Sequence, residues 1–252
     1  MSRREQDPTT VNPVLARRLV AHLDLTDLRH EMDDAAIAAL AARAHTPFGA
    51  PAGVCVRLAA AARLRPLLPP TTRLVVVANF PGGSGTAASV RDELRAARDA
   101  GADEIDLVYP YTAAQAGDRL IGPRLVETAA AETPFLKVIV EAAAYTDDPI
   151  GLLEAARVSL HAGAAMVKTS TGEVAFRRVA PSEVALLAEA VADHGAEVGL
   201  KVAGGVDLAF ALDTLVIAER RLGPELTPAR FRIGASRLLD ELIGTERSEG
   251  DY

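Results

Sequence analysis

Lysine is the scarce residue of this 252-residue chain: of its 27 basic residues only Lys137, Lys168 and Lys201 are lysine, and the other 24 are arginine. The distinction is chemical. A guanidinium stays protonated, whereas a lysine ammonium can be brought by its surroundings to the neutral amine that attacks a carbonyl. Lys168, in MVKTS at 166–170, and Lys201, in VGLKVAG at 198–204, fall in consecutive strand candidates. Neighbouring parallel strands lie about 4.8 Å apart, so both ammonium groups can face one interior. Desolvation and like-charge repulsion there both favour a neutral amine on one of the pair. Asp106, inside EIDLVY, is a carboxylate that could move protons directly or through a water. The competing reading is a structural network in which Asp106 and Asp24 neutralise two buried lysines, and spacing alone leaves both readings open.

The elements that would position these groups alternate along the chain. Strand candidates are LVAHLD at 19–24, GVCVRL at 53–58, LVVVANF at 74–80, EIDLVY at 104–109, FLKVIVE at 135–141, MVKTS at 166–170, VGLKVAG at 198–204 and FRIGAS at 231–236. Several are apolar throughout, as strands covered on both faces are. Between them run helix candidates at 33–44, 86–100, 150–161, 182–193 and 208–221, one opened by Pro181 and three closed by Gly101, Gly163 and Gly195. Eight such units in a chain of this length predict an α/β fold, a single (β/α)8 TIM barrel. An open doubly wound sheet would show the same alternation, but the glycine-rich PGGSG follows the third strand and is not a GxGxxG turn. In a barrel the reactive groups come from the C-terminal ends of the strands. That rule points to Asp24 closing the first run, Asn79 closing the third, Lys168 and Ser170 in the sixth and Lys201 in the seventh.

Composition narrows the classes. A net charge of −7 argues against a nucleic-acid partner, which would need a broad basic footprint. Cys55 is the sole cysteine, so neither an intrachain disulfide nor a thiolate metal cluster is expected. The opening MSRREQDPTT is not followed by an apolar export segment, and no run approaches a membrane span, so a cytoplasmic protein without membrane contact is expected. One domain over 1–252 is expected, with flexible flanks at 1–12 and 246–252.

Taken together, AGAAMVKTSTG at 162–172, GLKVAGGV at 199–206, GADEIDLVYPY at 101–111, ANFPGG at 78–83, LDLTDL at 23–28 and FRIGAS at 231–236 resemble the class I deoxyribose-phosphate aldolases, in order over nearly the whole chain. The resemblance implies Lys168 as the Schiff-base lysine, Lys201 as the lysine that tunes it and Asp106 as the acid–base carboxylate. Asp24, Cys55, Lys137 and Thr171 would line or support the site, and Gly172, Gly204, Gly205, Gly234 and Ser236, with Arg237, would hold a substrate phosphate. Tyr252 matches a C-terminal tyrosine that some members fold over the site. Also implied are a small aldehyde and a sugar phosphate as ligands, no metal or organic cofactor, and a homodimer. The chain departs from the pattern at the phosphate end. Glu173 and Asp207 stand where the family carries lysine and often arginine, Arg237 replaces a serine, and VEAAAY and VCVRL replace the usual sequences. Two added carboxylates are expected to weaken a dianion's binding. Three functions therefore stand beside one another: cleavage of deoxyribose 5-phosphate, a Schiff-base aldolase for an unphosphorylated or differently charged aldehyde, and a noncatalytic sugar-binding barrel.

Overall fold

A computed structural model describes residues 11–174 and 177–244; Tyr252 and most of both flanks lie outside the described residues. Eight parallel strands close into one barrel: β1 Leu23–Asp27, β2 Gly53–Val56, β3 Arg73–Ala78, β4 Glu104–Val108, β5 Leu136–Ile139, β6 Met166–Lys168, β7 Gly199–Ala203 and β8 Phe231–Ala235. The helices in chain order are α1 Pro13–Ala21, α2 Asp34–Arg43, α3 Leu58–Leu64, α4 Ala87–Asp99, α5 Tyr111–Gln115, α6 Ile121–Ala130, α7 Pro149–His161, α8 Pro181–His194, α9 Leu208–Leu222 and α10 Leu238–Ile243. The fold is the (β/α)8 TIM barrel.

Local chemistry sets many of the boundaries. Asp33, Thr86, Asp148 and Asp207 cap α2, α4, α7 and α9 with a side-chain oxygen on an early helix amide. Gly101, Gly163 and Gly195 follow α4, α7 and α8 with positive φ, as the sequence predicts. The first strand begins later than expected. Residues 19–21 belong to α1, because Asn12 caps it, Pro13 opens it, and Ala16, Leu19 and Val20 bury one helical face. Asp24 consequently sits second in its strand and enters the barrel from its depth, not from its rim.

Alternation along the strands divides the two faces. In β4, Ile105 and Leu107 join the layer beneath the helices, while Glu104 and Asp106 take the other parity. On the β2–β3 side Cys55, Val75 and Val77 form a small separate apolar cluster. Much of the remaining interior is charged, with Asp24, Glu104, Asp106, Lys137, Lys168, Lys201 and Arg232 buried in it, unlike the layers of branched aliphatics that fill most such barrels. Register aligns Lys168 with Lys201, Lys201 with Arg232, and Asp106 with Lys137.

Candidate active site

Three carboxylates and four cations are shut inside the barrel among the described residues: Asp24, Glu104 and Asp106 with Lys137, Lys168, Lys201 and Arg232, all buried. Asp106 stands at the centre. Its Oδ2 accepts from Lys168 Nζ and Lys201 Nζ, both at 2.8 Å, and its Oδ1 accepts from Lys137 Nζ at 3.0 Å. Lys201 Nζ also donates to Asp24, and Lys137 pairs with Glu104 at 2.6 Å. Arg232 ties the far ends together, donating to Asp24 and, at 2.9 Å, to Glu104. The network holds one more basic than acidic side chain, and each broken buried pair would leave an uncompensated charge. Lys137 and Lys201 each touch two or more carboxylates, and Lys168 touches one.

The electrostatics correct one expectation. Burial alone would lower the Lys201 ammonium, but Asp106 and then Asp24 outweigh it and hold it above the usual lysine range. Repulsion between lysines does not dominate at this residue, since the carboxylates are closer than the like charge. Burial would likewise raise Asp106, yet Lys137, Lys168 and Lys201 hold it well below the usual range. Asp24 is lowered in the same way by Arg232 and Lys201. Burial pushes the Cys55 thiol up to about 11, so Cys55 is a neutral wall residue, its Sγ 3.9 Å from Asp106 Oδ2.

Above this network an open cleft of about 2330 Å³ covers the C-terminal mouth. Lys168 alone of the three lysines lines it, together with Thr171, Gly172, Gly204, Gly205, Gly234, Ser236 and Arg237. Lys137, Lys201, Asp24, Asp106 and Cys55 lie below it. Gly172, Gly204 and Gly205 have φ of 80°, 91° and 68°, a left-handed backbone that favours glycine. Gly234 serves a second purpose: a Cβ there would meet Lys201 Cε at 3.0 Å, so the missing side chain makes room for the lysine. Ser236 accepts from Arg43 through its carbonyl at 2.9 Å. Asn79 does not reach the site. It pins the loop after β3, accepting from the Gly85 amide and donating to the Val108 carbonyl.

The two carboxylates expected to repel an anion are both paired. Arg57 meets Glu173 at 3.5 Å, and Arg178 meets Asp207 at 3.0 Å. Sequence reasoning missed both arginines because they come from other loops. It also missed Arg232, and Glu104, for which a signal was present: Glu104 lies two residues before Asp106 and so shares its strand face. Glu141 was missed as well. Buried just after β5 with φ 54° and ψ 64°, an uncommon left-handed conformation for a side-chain-bearing residue, it accepts from the Thr171 amide at 3.0 Å and fixes the loop after Lys168.

A family model described as DeoC/LacD family aldolase matches residues 19–240. A candidate deoxyribose-phosphate aldolase from Toxoplasma gondii ME49 superposes with a TM-score of 0.80 at 23% identity, covering 91% of this chain and 93% of its own. The tetrameric deoxyribose phosphate aldolase from Aeropyrum pernix gives 0.73 at 23%, covering 91% of each chain. A protein named QR15, an aldolase, gives 0.75 at 22%, covering 88% and 92%. At these identities the structural likeness carries the fold.

Proposed function

The chain belongs to the DeoC/LacD family of aldolases, and from that premise we propose that it cleaves 2-deoxy-D-ribose 5-phosphate reversibly to acetaldehyde and D-glyceraldehyde 3-phosphate through a Schiff base on Lys168. The observation that supports this most is the position of Lys168: it alone of the three lysines faces the cleft, and it has the fewest carboxylate partners. Its neutral amine adds to the C1 aldehyde, and loss of water from the carbinolamine gives the iminium. Removal of the C3 hydroxyl proton breaks the C2–C3 bond, and the electron pair moves into an enamine on Lys168 as the three-carbon aldehyde leaves. Protonation at C2 and hydrolysis release acetaldehyde and restore the amine. Asp106, ionised and 2.8 Å from Lys168, relays the protons, and cationic Lys201 sits 2.8 Å from the same Asp106 oxygen. The iminium is the electron sink, so the scheme uses no metal or organic cofactor. Gly172, Gly204, Gly205 and Ser236 are the backbone cradle for the phosphate in this reading. Assembly as a homodimer belongs to the same proposal and is checked by light scattering.

Reduction with borohydride in the presence of acetaldehyde is the test. The expected result is a stable adduct on the peptide that holds Lys168, absent in Lys168→Met. An adduct on Lys137 or Lys201 would move the nucleophile, and none at all would leave the noncatalytic barrel. A second reading, an unphosphorylated or differently charged acceptor, is favoured by Glu173, the more loosely paired carboxylate at the mouth, 3.5 Å from Arg57. The preference between phosphorylated and free deoxyribose decides between the two.

A further inference from the structure

We propose that Arg178 is the residue that selects an anionic, phosphorylated acceptor, supplying from the loop after β6 the positive charge that position 207 lacks. The inference rests on the aldolase reading above. A small cavity of about 180 Å³ adjoins the main cleft and shares Gly172, Gly204 and Gly205 with it; Ser170, Glu141 and Arg178 stand on its other walls. Two observations point to a ligand there. Ser170 is 6% exposed, yet its Oγ has no hydrogen-bond partner among the described residues. A buried hydroxyl left unmatched is costly unless something else completes it.

The second observation is the way Arg178 is held. Its Nη1 donates to Asp207 at 3.0 Å and to the Gly205 carbonyl at 3.4 Å, and its guanidinium stacks 4.6 Å above the Phe210 ring. Nε and Nη2 donate to no group among the described residues, so one edge of the fork is anchored while two donors stay available over the glycine turn. Planar two-point donation to an oxyanion is what a guanidinium does best. Asp207 acts here as a positioning residue. One oxygen caps α9 at the Phe210 amide, at 2.8 Å, and the other holds the arginine. The carboxylate that looks like an electrostatic obstacle in the sequence thereby orients a cation. Glu141, the one acidic wall of the cavity, is engaged with the Thr171 amide.

The experiment compares kcat/KM for deoxyribose 5-phosphate with that for free 2-deoxyribose in the unmodified enzyme, Arg178→Ala and Ser170→Ala, with inorganic phosphate tested as a competitive inhibitor. The ratio of the two kcat/KM values is expected to fall at least tenfold in Arg178→Ala, and less in Ser170→Ala. Inhibition by phosphate should weaken in parallel. An unchanged ratio in Arg178→Ala, or an unmodified enzyme that prefers free deoxyribose, would overturn the inference. Both outcomes leave the chemistry intact if borohydride still traps acetaldehyde on Lys168. Loss of that trapping in the unmodified enzyme removes the aldolase reading itself.

Discussion

Lys168 and Lys201 share one oxygen of Asp106, so their ammonium nitrogens lie within about 6 Å of each other. At an effective dielectric constant of about 20 such a pair repels by roughly 3 kcal/mol. Replacing Lys201 with methionine removes that repulsion and leaves Asp106 and Asp24 each one cation short. The kcat/KM at neutral pH is expected to fall at least tenfold, with borohydride still trapping acetaldehyde on Lys168. An unchanged kcat/KM would count against electrostatic tuning. Asp24 answers to the opposite sign. Its carboxyl is held below the ordinary 3.8, so the stability it contributes is present above that value and is lost as pH falls through the lower folded value. Asp24→Asn leaves Lys201 and Arg232 undercompensated and should cost about 3–5 kcal/mol at neutral pH. Denaturant midpoints of the two proteins should begin to converge as the pH falls below 3.8 and meet only below the lower folded value. Lys168 and Lys201 stood out in the sequence because lysine is so rare in it, and Asp106 because it interrupts an apolar strand. Arg232 was not, since one arginine among 24 carries no such mark until the register sets it beside Lys201.

Each strand contributes by parity and by what it omits. Gly234 in β8 is the clearest case, because Lys201 occupies the space its side chain would fill. Gly234→Ala puts a Cβ 3.0 Å from Lys201 Cε and 3.1 Å from Ala203 Cβ. Overpacking of this kind costs about 1–3 kcal/mol, and the displaced lysine should lower turnover more than the melting temperature suggests. Gly82→Ala, with nothing within 4 Å of the new Cβ, is the control expected to change neither. Turnover equal to the unmodified enzyme in Gly234→Ala would show that Lys201 has slack. The strand cores of this barrel could be read from apolar runs, and the ends of α4, α7 and α8 from glycine. The helix at 13–21 could not. Its LVA segment is too short for periodicity to separate helix from strand, and the cap that decides it lies seven residues upstream. Loop partners were the least legible of all: Arg57–Glu173 and Arg178–Asp207 join segments 116 and 29 residues apart.

At the scale of the whole molecule, closure brings β8 back beside β1, and this sets Asp24 against Gly234 and completes the ring of charge. Three lysines that are far apart in sequence, Lys137, Lys168 and Lys201, end 0%, 2% and 0% exposed. The outer surface of the described residues therefore offers no primary amine at all; its cations are arginines. The native fold is in effect its own protecting group. Amine-directed acylating reagents should modify an amino terminus and then Lys168, slowly and with loss of activity, while sparing Lys137 and Lys201. A lysine-specific endoprotease should find nothing to cut until the barrel opens. Each cut would then count an opening event, and the cleavage rate under varied denaturant would measure the opening free energy without any engineered probe. Rapid cutting at Lys137 in the absence of denaturant would mean that the barrel breathes far more than its closed ring of strands implies.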